Sequence, residues 1–199
     1  MAAGHSLAGG GVGVCCGTVG PGATNLVSGV AAAYMASLPM LVLTAQVGTP
    51  SIGRGALQEA AGEGRTFSQT KLLSAVTKYS TMVTHSTKLP EALRRALRIA
   101  LSGRPGPVHL DLPADSQRGP AEDDIVPPER YRPKLSTLPL ESDLRRTAEL
   151  LWASKKPAML VGAGGRKGPT RSTWARPSRR AARRARGRDS ADVTSRRSS

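Results

Sequence analysis

The residues best placed for chemistry sit where two apolar runs end. A small, β-branched stretch over 12–16 ends in Gly17-Thr18-Val19-Gly20-Pro21-Gly22, with Thr24 and Asn25 just beyond. Glycine permits the tight backbone of a strand-to-helix turn. A turn of this kind, at a strand's carboxyl end, is where α/β proteins place ligands. Gln46 stands in the same position after a second apolar run, 40–44. Each of these residues also has a plainer reading. Gly20, Pro21 and Gly22 suffice as a chain reversal, Asn25 as a helix cap, and Gln46 as a surface glutamine.

Other polar residues lack a catalytic arrangement. His5, His85 and His109 have no metal-ligand spacing, and His109 lies within an apolar strand, as a satisfied core histidine would. Ser6, Ser28 and Ser51 have no base at a recognisable distance in sequence. The acidic run at 122–124 has no partner carboxylate, which argues against hydrolase chemistry. Gln58 and Glu59 read as a solvated loop pair. No catalytic residue and no metal ligand is assigned. Adjacent Cys15 and Cys16 are poor disulfide partners and read as small buried hydrophobes in a reducing compartment.

The elements that must position these residues follow from periodicity. Runs at 12–16 and 40–44 are unalternating and strand-length, as in a parallel sheet covered on both faces. Thr24 or Asn25 is expected to cap a helix running to Tyr34, stopped by Ser37-Leu38-Pro39. Residues 47–64 read as a loop, 67–73 as a short helix and 79–83 as a strand. Over 90–102 the residues Ala92, Leu93, Ala96, Leu97, Ala100 and Leu101 trace a 3.6-residue period, and Gly103 ends the helix. Residues 108–112 form another strand. Strands alternating with helices predict an α/β domain with a parallel sheet.

Four regions are expected. Residues 1–118 form the α/β domain, 119–139 a proline- and charge-rich linker, and 140–165 the start of a second α/β unit. That start comprises a helix over 140–152, a strand over 157–161 and the turn Gly162-Ala163-Gly164-Gly165. Residues 166–199 form a basic tail. It holds twelve of the 29 Lys/Arg and two of the 14 acids, so +10 of the net +15 lies there. With almost no large apolar residue it cannot offset chain entropy and is expected to be disordered. No apolar run is long enough to span a bilayer, and the N-terminus has no basic secretory start. The expected location is cytoplasmic.

Several ordered motifs together resemble thiamine-diphosphate-dependent enzymes of the acetolactate synthase type. They begin with Met1 to Gly4 and Gly20-Pro21-Gly22-Ala23-Thr24-Asn25-Leu26-Val27 in ungapped register. Ala33-Tyr34-Met35, Pro39-Met40, Thr44-Ala45-Gln46-Val47, Gln58-Glu59 and Thr77-Lys78-Tyr79-Ser80 follow. Next come Ser102 to Val108, Asp111-Leu112-Pro113, and Lys155-Lys156-Pro157 through Gly165. The resemblance covers residues 1 to about 165 and stops within the glycine turn.

What the resemblance implies is a pyrimidine-binding first domain of a three-domain enzyme. A third domain on a partner subunit holds the diphosphate through magnesium. Whole relatives carry out carboligation or decarboxylation of 2-oxo acids, with the cofactor as electron sink. Gly20, Pro21, Gly22, Asn25 and Gln46 are then the cofactor-binding candidates, with ring packing at Pro21 and Asn25 lining the pyrimidine pocket. The family's proton-relaying glutamate would lie upstream of Met1, and the diphosphate and magnesium motifs are not in the sequence. Ala3, His5, Leu7 and Gly9 depart from the usual pattern. Only a partial thiamine diphosphate site is expected, and the chain is expected to be inactive alone. FAD, held by the central domain in flavin-containing relatives, is not expected here. The domain is also expected to lack its first strand and helix and so to leave an open sheet edge. The family implies a homodimer. Two further readings are a non-catalytic oligomerisation module and a nucleic-acid binder driven by the tail. The tail has no stacking platform, and an aberrant end explains it better.

Overall fold

The computed structural model describes residues 1–9, 11–120, 126–131, 139–156 and 158. The chain divides into two compact units, Met1–Thr137 and Leu138–Ser199.

The first unit is built on a four-stranded sheet whose paired strands are all parallel. Its strands are β1 (Gly13–Gly17), β2 (Met40–Gln46), β3 (Ser80–Met82) and β4 (Pro107–Pro113), in the spatial order β1-β2-β4-β3. The helices are α1 (Ala2–Leu7), α2 (Pro21–Met35), α3 (Gln69–Ser74), α4 (Leu89–Leu101), α5 (Ala114–Arg118) and α6 (Pro128–Tyr131). The predicted parallel α/β domain is therefore observed. Register is fixed by pairs such as Thr44 with Asp111, Val42 with His109, and Ser80 with His109. Strand β4 is thus inserted between β2 and β3, and the three carboxyl ends lie side by side.

Successive strand residues face opposite sides, and the two sides differ. On one, Val30 and Ala33 of α2, Leu73 of α3 and Leu38 from the turn after α2 pack with Met40 and Val42. On the other, α4 packs Ala96 and Ala100 against Leu41, Val108 and Leu110. The 3.6-residue pattern of α4 is realised, with Ala96 and Ala100 fully buried. Lys78 bonds the carbonyls of Ile99 and Ser102 through Nζ at 2.5 and 2.7 Å and so closes the end of α4.

Local chemistry moves some expected boundaries. Helix α2 does not begin at Thr24 or Asn25. It begins at Pro21, with Gly20 as its N-cap residue at φ 63°. Proline is preorganised for the first helical position. The Thr24 hydroxyl donates back to the Pro21 carbonyl at 2.9 Å, inside the first turn. Helix α3 starts later than expected because Ser68 caps it, its Oγ accepting from the Lys71 amide at 3.1 Å. The cysteine expectation is corrected: β1 is an edge strand, so Cys15 is half-buried and Cys16 exposed. Burial, with Cys16 adding to it, pushes the Cys15 thiol above its usual range.

The second unit contains α7 (Glu141–Ala153), where a helix was expected. Arg145 pairs with Glu141 one turn away at 2.7 Å. Among the described residues its apolar side chains Leu144, Leu150 and Trp152 are exposed. Of the strand expected over 157–161 only Ala158 is described; its glycine turn and the basic tail lie outside the described residues.

Candidate functional site at the strand carboxyl ends

The carboxyl halves of β2 and β4 carry polar residues into the face covered by α2 and α3. Thr44, Gln46, His109 and Asp111 are each at most 2% exposed. Such burial is costly unless each polar group finds a partner, and these do. Asp111 Oδ1 accepts from Gln69 Nε2 at 2.6 Å and lies 3.0 Å from the Thr44 hydroxyl. Its Oδ2 accepts from the Thr70 hydroxyl at 3.1 Å and from Gln46 Nε2 at 3.4 Å. His109 Nε2 lies 2.7 Å from the Thr44 hydroxyl, and Nδ1 lies 2.8 Å from the Ser80 hydroxyl.

Gln69 ties this cluster to the glycine turn. Its Oε1 accepts from the Gly20 amide at 3.0 Å, while Nε2 donates to the Ala45 carbonyl at 2.8 Å as well as to Asp111. Gln46 ties it to the following loop, accepting from the Val47 amide at 3.0 Å and the Ala60 amide at 3.4 Å. The same loop brings Gln58 to the turn. A Cβ on Gly20 would lie 2.8 Å from the Gln58 carbonyl oxygen, and Gln58 itself has φ 61°. Beside it, Glu59 is 5% exposed. Its Oε1 accepts from the Gly53 amide at 2.6 Å, and its Oε2 is buried without a hydrogen-bond partner in the described structure.

The electrostatics follow from burial. Loss of hydration raises the Asp111 carboxyl above its ordinary value, against the lowering effect of Gln69, Thr44, Thr70 and Gln46. Loss of hydration also pulls His109 down to about 4.

The structure brings Gly20 and Gln46 into one cluster, linked through Gln69 and Asp111. Gly22 lies in the same turn, where a Cβ would come 2.5 Å from Thr18 Cγ2. Pro21 is exposed at the turn, and Asn25 is exposed one helical turn further along α2. Gln46 is turned inward, with all its bonds to the fold. His109 is the satisfied core histidine expected. Gln69, Asp111 and Thr44 were not picked out as site residues. An acidic residue, Asp111, two positions after His109 in the mostly apolar run 107–113 was the available clue. An open groove of about 230 Å³ between β3 and α4, edged by Tyr79, Lys88 and Arg95, shares no residue with this cluster. Among the described residues no group of three or more His, Cys, Asp or Glu could hold a metal ion, and no helix is long and apolar enough to cross a membrane.

Comparison with known proteins gives the class first. Residues 1–65 match the family described as "Thiamine pyrophosphate enzyme, N-terminal TPP binding domain", and the parallel sheet flanked by helices is the fold expected of such a pyrimidine-binding domain. Within that class the chain is acetolactate synthase-like. It is 41% identical over 167 residues to a probable acetolactate synthase large subunit of Methanocaldococcus jannaschii, covering 81% of this chain and 27% of that protein. It is 42% identical over 172 residues to the acetolactate synthase large subunit of Corynebacterium glutamicum, covering 81% and 26%. Against the Escherichia coli acetolactate synthase isozyme 3 large subunit the figures are 40% over 169 residues, 82% and 28%. The chain therefore spans about a quarter of the length of these relatives.

Proposed function

We propose that residues 1–118 supply the pyrimidine-facing part of a thiamine diphosphate site in an acetolactate synthase-like protein. The observation that carries this reading is the meeting of the Gly20 turn, Gln46 and the Gln58-Glu59 loop at the carboxyl ends of a parallel sheet. All of these lie within the segment matched to the family. The buried, unpartnered Oε2 of Glu59 fits a ligand with an N–H donor, as an aminopyrimidine has. Gly20, Pro21 and Gly22 would form the turn against the ring, and Asn25 the adjoining rim. Gln46 would support the loop from behind rather than touch the ligand.

When bound, thiamine diphosphate supplies an electron sink for carboligation or decarboxylation of 2-oxo acids. This chain's residues orient the ring and exclude water around it. Binding of the diphosphate through magnesium, a second copy of the chain, and any flavin belong to the proposal for the whole protein. Calorimetry of the 199-residue chain with thiamine diphosphate and magnesium tests it. Weak binding, weakened further in Pro21→Gly, is expected. Tight, stoichiometric binding by this chain alone would overturn the reading that it offers only part of a site.

A further inference from the structure

The row Asp111–Thr44–His109–Ser80–Thr70 contains four consecutive hydrogen-bonding contacts. They are Asp111 Oδ1 to Thr44 Oγ1 at 3.0 Å, Thr44 Oγ1 to His109 Nε2 at 2.7 Å, His109 Nδ1 to Ser80 Oγ at 2.8 Å, and Ser80 Oγ to the Thr70 carbonyl at 2.8 Å. Each contact needs one hydrogen. The Thr44 hydroxyl, the Ser80 hydroxyl and a neutral imidazole bring three between them. With Asp111 ionised and His109 neutral, one contact must therefore set two lone pairs against each other, in a row buried at Asp111, Thr44 and His109 and part-buried at Ser80.

We propose that the folded chain holds one further proton along this row, shared between Asp111 and His109. Two arrangements then satisfy every contact. In one, the Asp111 carboxyl donates to Thr44, Thr44 donates to His109 Nε2, Nδ1–H donates to Ser80, and Ser80 donates to Thr70. In the other, the same proton sits on the imidazole: Nε2–H donates to Thr44 and Thr44 to an ionised Asp111. Moving between them transfers one proton from carboxyl to imidazole through the Thr44 hydroxyl and leaves the total unchanged. Burial favours the first arrangement, because neither group is then charged. The raised carboxyl and lowered imidazole agree with it.

Among the described residues the other buried carboxylate is Glu59, next to Ala60, which bonds Gln46 and Gln69. Helix α2 has no Asp, Glu, Lys, Arg or His, and its Tyr34 is 40% exposed. On α3 the one charged residue, Lys71, is exposed. Beside β3, Lys78 is bonded to the end of α4, and Tyr79 packs with the opposite face under Arg95. Glu91, Arg94, Arg95 and Arg98 belong to α4, which covers that opposite face. Cys15 packs with the apolar cluster on the same face as the row. Asp115 is bonded to Thr49 beyond the end of β4, and Glu59 is bonded to Gly53 through Oε1 while its Oε2 has no partner in the described structure.

This inference stands on the hydrogen count and is independent of the proposed cofactor. It is tested on the full chain at pH 7.5 by nitrogen-15 NMR of labelled histidine together with infrared spectroscopy. The expected result is a neutral His109 with Nδ1 protonated and a carboxylic-acid carbonyl band that Asp111→Asn removes. An imidazolium with an ionised Asp111 also supports the shared proton. A neutral His109 protonated at Nε2, without a carboxylic-acid band, would overturn it. Proton release on urea unfolding at the same pH gives a second readout that needs no variant. About one proton per chain is expected, and none would overturn the proposal.

Discussion

The two faces of the sheet solve the burial problem differently. Under α4, the side chains of Leu41, Val108 and Leu110 meet Ala96 and Ala100, and no polar side chain is needed. Under α2 and α3, the strands begin in the same way with Met40 and Val42, then turn polar at Thr44, Gln46, His109 and Asp111. An apolar face is tolerant because dispersion and hydrophobic burial are non-directional. A buried polar row is specific, since each group fixes the position of the next. The sheet thus has one face that holds the fold together. The other face trades some of that security for control over the loops at its carboxyl ends.

That contrast can be broken most sharply in the apolar face. Leu110→Ala removes a fully buried side chain and should cost about 3 kcal/mol at every pH, read by urea denaturation. An effect that varied strongly between pH 4 and 8 would mean that the two faces are coupled. The polar face should instead show its character through pH. His109, held down near 4 against about 6.5 when unfolded, binds its proton only in the unfolded chain between those values. Its contribution to stability therefore rises with pH through that window. Asp111, raised in the folded state, contributes in the opposite sense above its unfolded value near 3.9. In the native chain the raised Asp111 opposes the gain from His109 within that window. Asp111→Asn removes the opposing group and should unmask a gain of about 3 kcal/mol on going from pH 4 to 6.5. Parallel curves for the two proteins would refute the opposition.

The smallest effect is expected at the junction of the polar face with the turn. Gly20→Ala places a Cβ against the Gln58 carbonyl at a positive φ. About 2 kcal/mol should be lost, visible as a lowered melting temperature with an unchanged pH profile. A changed profile would show that the turn feeds back on the buried row.

Much of the architecture was legible in the residues. Unalternating runs marked β2 and β4, and the 3.6-residue spacing of Ala92, Ala96 and Ala100 marked α4. The start of α2 was misjudged because two good capping residues, Thr24 and Asn25, outweighed a proline already set for the first turn. Burial of the cysteines was misjudged because an edge strand has the same composition as a central one. In the site, Gly20 and Gln46 were found because they follow apolar runs. Gln69 was not, since a glutamine opening a short helix carries no mark of the distant backbone it will bond. Asp111 stands within a recognisable motif, but its many partners come from β2 and α3, a convergence that no local spacing encodes.

The meeting of Gly20 and Gln58 has a consequence for how the molecule assembles. Two left-handed backbone positions, remote along the polypeptide, press together at one point. The positive φ is free for Gly20 but costly for Gln58, and the joint is expected to close only after the intervening strand and loop are in place. The Gly20 amide, shielded by Gln69, should gain protection from hydrogen–deuterium exchange late in refolding. It would serve as a timer for the arrival of the final segment.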